Sequence, residues 1–127
     1  MKEITTRTEK IVLHPSGVVV CTVHKSIYME IEDAIENIKA IKELSVEKKV
    51  PVVVDIQASK GASKACREYF AGDEAAKVQS ACALLVSSPM SRLIGNFFIG
   101  LNKTKFPTRL FSDKDLAIIW LKNFLES

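Results

Sequence analysis

The chain has 127 residues and a mass of 14.1 kDa, a length that predicts one domain spanning residues 1–127. With 47% hydrophobic and 26% charged residues it is able to bury a core, which excludes an intrinsically disordered chain. The net charge of +3 and the pI near 8.8 are mild. Nucleic-acid-binding domains carry a dense basic stripe, so no nucleic-acid partner is predicted, whereas an acidic or anionic partner is permitted.

The three cysteines, Cys21, Cys66 and Cys82, are odd in number and show no CxxC spacing. A disulfide framework is therefore not expected, and a reducing, cytoplasmic location is predicted. No apolar run approaches 18 residues and the start of the chain lacks an apolar signal core, so no membrane span is predicted. His14 and His24 are separated by about 20 Å of predicted strand without a further ligand at metal-binding spacing. Neither a metal nor a cofactor is predicted.

The predicted elements begin with two strands, Lys10–His14 and Val18–His24, joined by a tight turn at Pro15–Gly17. A surface helix follows at about Glu30 to Glu47, with its apolar positions at helical spacing. The run Val50–Ile56 is apolar on both alternating faces. This pattern is expected for a strand in the middle of a parallel sheet, covered on both sides.

A polar loop at 57–63 follows this central strand and leads into a helix at Lys64–Ala71, with Ser63 as the predicted N-cap. A short helical turn restarts after Gly72, where acidic residues favour a helix N-terminus. The continuous apolar run Ala81–Val86 predicts a second inner strand.

Helix three begins after this strand, with Ser88 as the predicted N-cap and Pro89 at the first helical position. Six apolar residues fall within one arc of about 140°, which predicts the buried face of the helix. They are Met90, Leu93, Ile94, Phe97, Phe98 and Leu101. The opposite side carries Ser91, Arg92, Gly95, Asn96 and Ile99.

A last strand, Thr108–Phe111, precedes helix four, for which Ser112 is the predicted N-cap with Asp115 at capping-box distance. The element order is β-β-α-β-α-β-α-β-α. Only the first connection is short enough for a hairpin, and the other three contain helices and form right-handed crossovers. The predicted fold class is therefore α/β, with a mixed sheet of about five strands in which an N-terminal hairpin is followed by parallel strands.

Polar segments follow both inner strands, at the edge where open α/β sheets bind ligands. Helix N-termini and cations at this edge suit a phosphate, a carboxylate or an acidic partner surface, although serines also serve as ordinary helix caps. The candidate partner or anion face comprises Asp55, Ser59, Lys60, Ser63, Lys64, Arg67, Ser88, Arg92 and Asn96. No nucleophile, base and orienting group can be assembled from the sequence, so no catalytic residue and no enzyme are predicted.

The order of elements, with the strand Pro51–Ile56 and its following loop, resembles the STAS-like domains (sulfate transporter and anti-sigma-factor antagonist). More specifically, Arg67–Phe70, Ser88–Lys103 and Phe106–Phe111 look like a group of small bacterial STAS-like proteins of uncharacterised function. The resemblance covers nearly the whole chain, and its most specific part is the helix-three segment. It implies the STAS fold and a non-enzymatic regulatory or protein-binding module.

STAS domains of the anti-sigma-antagonist type bind a partner kinase. They are switched by phosphorylation of a serine, preceded by Asp, at the start of the helix after the central strand. Ser63 stands at about that position, between Ala62 and Lys64, so the resemblance makes it a candidate phosphorylation site although the preceding Asp is absent. The expectation is a protein partner of unknown identity, bound by a monomer or a homodimer.

A second interpretation is a carrier or sensor of a small molecule, a lipid or an anion, held in a pocket between helix 89–102 and the sheet. Related lipid-transfer domains form such a pocket, and the adjacent Phe97 and Phe98 are placed to line one. Against this, 127 residues leave little volume beyond the core.

Overall fold

A computed structural model describes residues 2–46, 48–101 and 104–125, and for Phe97, Gly100 and Leu101 it describes the backbone alone. The predicted roles of Phe97 and Leu101 in the buried face of helix three lie outside this description. The strands are β1 Glu3–Thr5, β2 Glu9–Leu13, β3 Val19–Val23, β4 Tyr28–Met29, β5 Val50–Asp55, β6 Gly61–Ala62, β7 Gln79–Leu85 and β8 Thr108–Phe111. The helices are α1 Ile31–Leu44, α2 Lys64–Ala71, α3 Asp73–Ala76, α4 Pro89–Leu101 and α5 Lys114–Leu121, followed by a 3-10 turn at Lys122–Phe124.

Six strands form one mixed sheet in the order β1-β2-β3-β5-β7-β8, and β4 pairs with β6 in a separate parallel pair. The first three strands form an antiparallel meander, and β3, β5, β7 and β8 are parallel neighbours. The predicted α/β class with a mixed sheet is confirmed, with six strands instead of about five. The difference is β1, which is only three residues long and too short to show a period in the sequence.

β5 lies in the middle of the sheet and contributes side chains to the core on each of its two faces. Val52 and Val53 are both fully buried, and they point to opposite faces of the sheet. Val52 belongs to the core beneath α1, α2 and α4, whereas Val53 packs with Ala117, Ile118 and Leu121 of α5. The prediction that this strand is covered on both faces is confirmed.

Hydrogen bonds connect the segment between β1 and β2 to α1. Arg7 donates two hydrogen bonds to the Asp33 carboxylate, at 2.8 and 2.6 Å, and this contact holds the pKa of Asp33 below its usual range. The fully buried Asn37 accepts from Thr6 Oγ at 2.6 Å and donates to Thr8 Oγ at 2.9 Å. These side chains satisfy one another, which buried polar groups require.

Two predicted helix boundaries need correction. The first helix ends at Leu44, before Val46 takes a left-handed φ of +53°, and the predicted end at Glu47 lies outside the described residues. The predicted N-cap Ser112 is wrong, because Asp113 Oδ1 accepts the hydrogen bond from the Leu116 backbone N at 3.1 Å. A carboxylate caps the positive end of a helix at least as well as a hydroxyl.

The predicted buried face of helix three is wrong in its first turn. Met90 and Leu93 are each 63% exposed, whereas Ser91 and Gly95, on the supposed outer side, are buried. Ile99, also predicted on that side, packs partly buried against the core. The side of the helix that faces the sheet therefore carries the small residues Ser91 and Gly95.

The physical reason is the close approach of α4 to the sheet at Gly95. A Cβ at this position would lie 2.7 Å from Leu110 Cδ2 and 3.3 Å from Val86 Cγ1, both too close for ordinary contact. The absence of a side chain lets α4 sit directly on β8 and the end of β7. Ile94 and Phe98, which were predicted to face the core, do pack against it.

Replacing Gly95 by valine tests this contact. We expect Gly95→Val to lower the free energy of unfolding by about 1–3 kcal/mol, because the added atoms overpack the contact with Leu110 and Val86. Asn96→Val is the matched control, since it places the same residue at the next, exposed position of the helix. Urea unfolding of both variants measures the difference, and equal stabilities would contradict the close approach.

Candidate functional site

The loops that follow β5 and β7 share one edge of the sheet. Asp55 pairs with Leu85 in the parallel register, so both strands end at the same level. Asp55 Oδ1 accepts hydrogen bonds from the backbone N and from Nε2 of Gln57, both at 3.0 Å. Asp55 therefore shapes the turn after the central strand.

The serines of the first loop also have local partners. Ser59 Oγ accepts from the backbone N of Gly61 at 2.9 Å, and Gly61 takes a left-handed φ of +111° that favours glycine. Ser63 Oγ accepts from Cys66 N at 3.2 Å, which confirms Ser63 as the N-cap of α2. The candidate phosphorylation site thus holds the first turn of a helix.

Ser88 forms a reciprocal cap with Ser91 at the start of α4. Ser88 Oγ accepts from Ser91 N at 3.0 Å, and Ser91 Oγ accepts from the backbone N of Ser88, also at 3.0 Å. This confirms Ser88 as the predicted N-cap. Ser91 was not singled out from the sequence, although its position three residues after the cap matches the spacing of a capping box.

The cations and the amide of the predicted face divide between two surroundings. Lys60, Lys64, Arg92 and Asn96 are exposed. Arg67 is half-buried and lines a cavity beneath α2. That the exposed residues act as one binding face stays a prediction.

The cavity lies between α2, α4 and the sheet, where the second interpretation placed a pocket. It offers about 80 Å³ to the centres of water-sized molecules, enough for a few waters or a short organic group. Its walls are mostly apolar. The lining residues are Glu9, Val23, Met29, Val54, Ile56, Ser59, Gly61, Ala62, Arg67, Phe70, Gln79, Cys82, Leu84, Ile94, Phe98 and Phe106.

Glu9 is the unexpected member of this lining. It pairs with Val23 across β2 and β3, and it is only 2% exposed. Burial raises its pKa to about 7, a hydrogen bond from the Cys21 thiol opposes that shift, and the nearby Asp33 carboxylate adds to it. The sequence held a signal for this placement, because Glu9 stands two residues before the buried Ile11 and so shares its face of the strand.

Within the described ranges, no helix is long and apolar enough to cross a membrane. In the same part of the chain, no group of three His, Cys, Asp or Glu side chains is arranged to hold a metal ion.

The fold is that of the STAS domains. It is similar to an anti-sigma factor antagonist from Mycobacterium paratuberculosis, with a TM-score of 0.58 and 20% identity over 94% of this chain and 99% of the other. It is also similar to an uncharacterised protein of the DUF3478 family with a SpoIIAA-like fold, from Shewanella loihica PV-4. That likeness has a TM-score of 0.57 and 14% identity, over 94% of this chain and 90% of the other.

The family described as "Domain of unknown function (DUF7793)" matches residues 11–125, so the chain belongs to this family. No curated protein matches the chain. The expected STAS resemblance is confirmed at the level of the fold.

Replacing Glu9 tests its burial through the pH dependence of stability. The unfolded chain loses the Glu9 proton near pH 4.5, whereas the folded chain keeps it up to about pH 7. Wild-type stability should therefore fall as pH rises from about 4.5 to 7. Glu9→Gln cannot titrate, so we expect its advantage over wild type to grow by a few kcal/mol across that window and then stay constant.

Urea unfolding at half-unit steps from pH 4.5 to 8 measures this difference. Glu3→Gln is the control, because it makes the same replacement at an exposed position of β1. Parallel curves for wild type and Glu9→Gln would mean that Glu9 titrates as an exposed carboxyl.

Proposed function

We propose that this protein is a non-enzymatic regulatory module that binds a partner protein through the exposed side of α4 and the neighbouring loop and helix start at 59–64. The observation that carries this proposal is the exposure of Met90 and Leu93. The fold, shared with an anti-sigma factor antagonist, supports a regulatory role of this kind.

Met90 and Leu93 lie three positions apart on one helix and so present adjacent side chains. Both project into solvent although neither carries a polar group that water would favour. Single exposed apolar residues are common, but adjacent ones at a helix start add to a patch that a partner can cover. Methionine is also enriched at protein interfaces.

Exposed cations lie on the segments at the same edge of the sheet as this apolar pair. Arg92 lies between the two residues in sequence, and Lys60 and Lys64 stand on the loop and helix at the same edge of the sheet. A partner that complements this surface has an apolar centre with an acidic rim, since complementary charges steer association and exclude wrong partners. An acidic protein surface is therefore the partner chemistry that we propose.

A non-enzymatic role agrees with the hydrogen bonds at this edge. Ser59, Ser63 and Ser88 each cap a turn or helix, and Asp55 holds its loop, so none of these groups faces a base or a nucleophile in the described contacts. Cys21, Cys66 and Cys82 are buried free thiols, which supports a reducing cytoplasmic location.

Introducing a charge at Leu93 tests the proposed surface. We expect Leu93→Glu to weaken partner binding by roughly thirtyfold or more, because it places an anion in the apolar centre opposite an acidic rim. The tagged protein and the variant are each used to capture proteins from native lysate, with quantitation by mass spectrometry. Thermal unfolding checks that the variant folds.

Leu116→Glu is the matched control. Leu116 is 57% exposed on α5, which covers the opposite face of the sheet, and it has an exposed neighbour at Ile119. A partner retained by Leu116→Glu and lost with Leu93→Glu supports the proposal. If Leu93→Glu retains every partner of the wild type, or if only Leu116→Glu loses one, the α4 surface is not the binding site.

The cavity favours a second candidate function, a carrier or sensor of a small molecule. Here the supporting observation is the space between α2, α4 and the sheet, with its apolar walls. Native mass spectrometry of freshly purified protein tests this function, and we expect a bound mass that unfolding releases. An unloaded protein that also binds no added small molecule would contradict it.

A further inference from the structure

Among the residues that the structure describes, the Cys21 thiol is the hydrogen-bond partner of the Glu9 carboxyl group, and this weak contact does not explain the burial of a carboxyl group. Most residues that line the cavity with Glu9, among them Val23, Met29 and Cys82, are apolar. Arg7 stands two residues before Glu9 in the sequence, but its guanidinium donates two hydrogen bonds to the Asp33 carboxylate. Among the described residues, no cation lies within ion-pair distance of Glu9.

Glu9 also receives little hydrogen bonding for a carboxylate. An ionised carboxylate accepts at about four lone-pair sites, and the Cys21 thiol supplies one weak donor. The neighbouring Thr6, Thr8 and Asn37 satisfy one another instead. A buried charge with so few donors is costly, and such groups cluster at functional sites.

The Glu9 side chain lines the cavity, where its carboxyl group could bind a ligand. Glu9 lines the same space as the aromatic rings of Phe70, Phe98 and Phe106. An acceptor of charge-assisted hydrogen bonds therefore stands in a mostly apolar wall, whose other polar members are Ser59, Arg67 and Gln79. Apolar walls with a few polar groups are what fix the orientation of small ligands in binding sites.

We propose that Glu9 is the recognition group of a small-molecule site that takes a primary amine, with the ammonium at the carboxylate and a short apolar body along α2 and α4. An ammonium offers three donors and a compensating charge, whereas a hydroxyl offers one donor. A carboxylate ligand would place a second anion beside Glu9. The size of the cavity limits the enclosed part of the ligand to a few heavy atoms.

This proposal rests on the second candidate function, because it names the ligand class of the same cavity. Charged and titratable groups on the elements around Glu9 are Asp33 on α1, Cys21 on β3, Cys82 on β7, and Cys66 and Arg67 on α2. Burial raises the pKa of the Cys66 and Cys82 thiols to about 12, so they stay neutral near pH 7. The Arg67 guanidinium also lines the cavity, and its repulsion of a second cation favours seating the ammonium on the Glu9 side.

Three probes with one apolar body test the ligand class: n-butylamine, 1-butanol and butyrate. Binding to the full chain is followed by two-dimensional NMR at pH 6, 7 and 8. We expect butylamine to bind at least tenfold more tightly than either isostere at pH 8. Its affinity should fall by up to about tenfold per pH unit below pH 7, as protonation of Glu9 removes the anion.

The variant Glu9→Gln keeps the size of the side chain and should abolish the preference for the amine, while Glu3→Gln should preserve it. Thermal unfolding confirms that both variants fold. Equal binding of butylamine and butanol at pH 8, or binding that tightens toward low pH, overturns the amine proposal and leaves a carrier of neutral molecules. Binding of no probe at millimolar concentration overturns both the amine proposal and the carrier function.

Discussion

The absence of a side chain at Gly95 is the constraint on which the arrangement of α4 depends. Because nothing projects from this position, the helix rests directly on Val86 and Leu110. That contact fixes the rotation of the helix about its own axis. Met90 and Leu93 then face solvent, while Ile94 and Phe98 form part of the cavity wall. The apolar surface and the internal space are thus two results of one close contact.

The two candidate sites of the protein lie on opposite sides of the same helix. The outer side of α4 presents Met90 and Leu93 to solvent, and the inner side bounds the chamber that holds Glu9. A molecule in the chamber would contact Ile94 and Phe98, which stand on the same helix as the exposed pair. Ligand and partner would then be coupled only if the ligand has different affinities for two positions of α4.

Continuous apolar runs made the inner strands β5 and β7 predictable, because strands covered on both faces have no alternation. Ser63 and Ser88 were predictable as caps, since N-capping is decided by residues next to each other in sequence. The rotation of α4 about its own axis was not predictable from the sequence. An apolar arc marks the buried side of a helix only where the helix lies at an ordinary distance from the sheet. Gly95 permits a closer approach and favours the side with small residues.

The placement of Glu9 illustrates a second limit. Its alternation with Ile11 predicts an inward side chain, but its charge predicts an outward one, and residues far away in sequence decide between them. Arg7 is engaged by Asp33, and Glu9 is 2% exposed on the face of β2 that lines the cavity. For the same reason the cavity could be anticipated only as a region between a helix and the sheet, without its carboxylate.

The outer strands of the sheet bear on how copies of this chain meet. β1 has three residues and β8 has four, and each carries exposed polar side chains, among them Glu3 and Arg109. The Arg109 guanidinium lies 5.2 Å from the Phe111 ring centroid and 5.4 Å from that of Trp120, which holds its charge beside the edge. Such short, charged edges offer little backbone to a foreign strand, so they protect the chain from aggregating by strand addition.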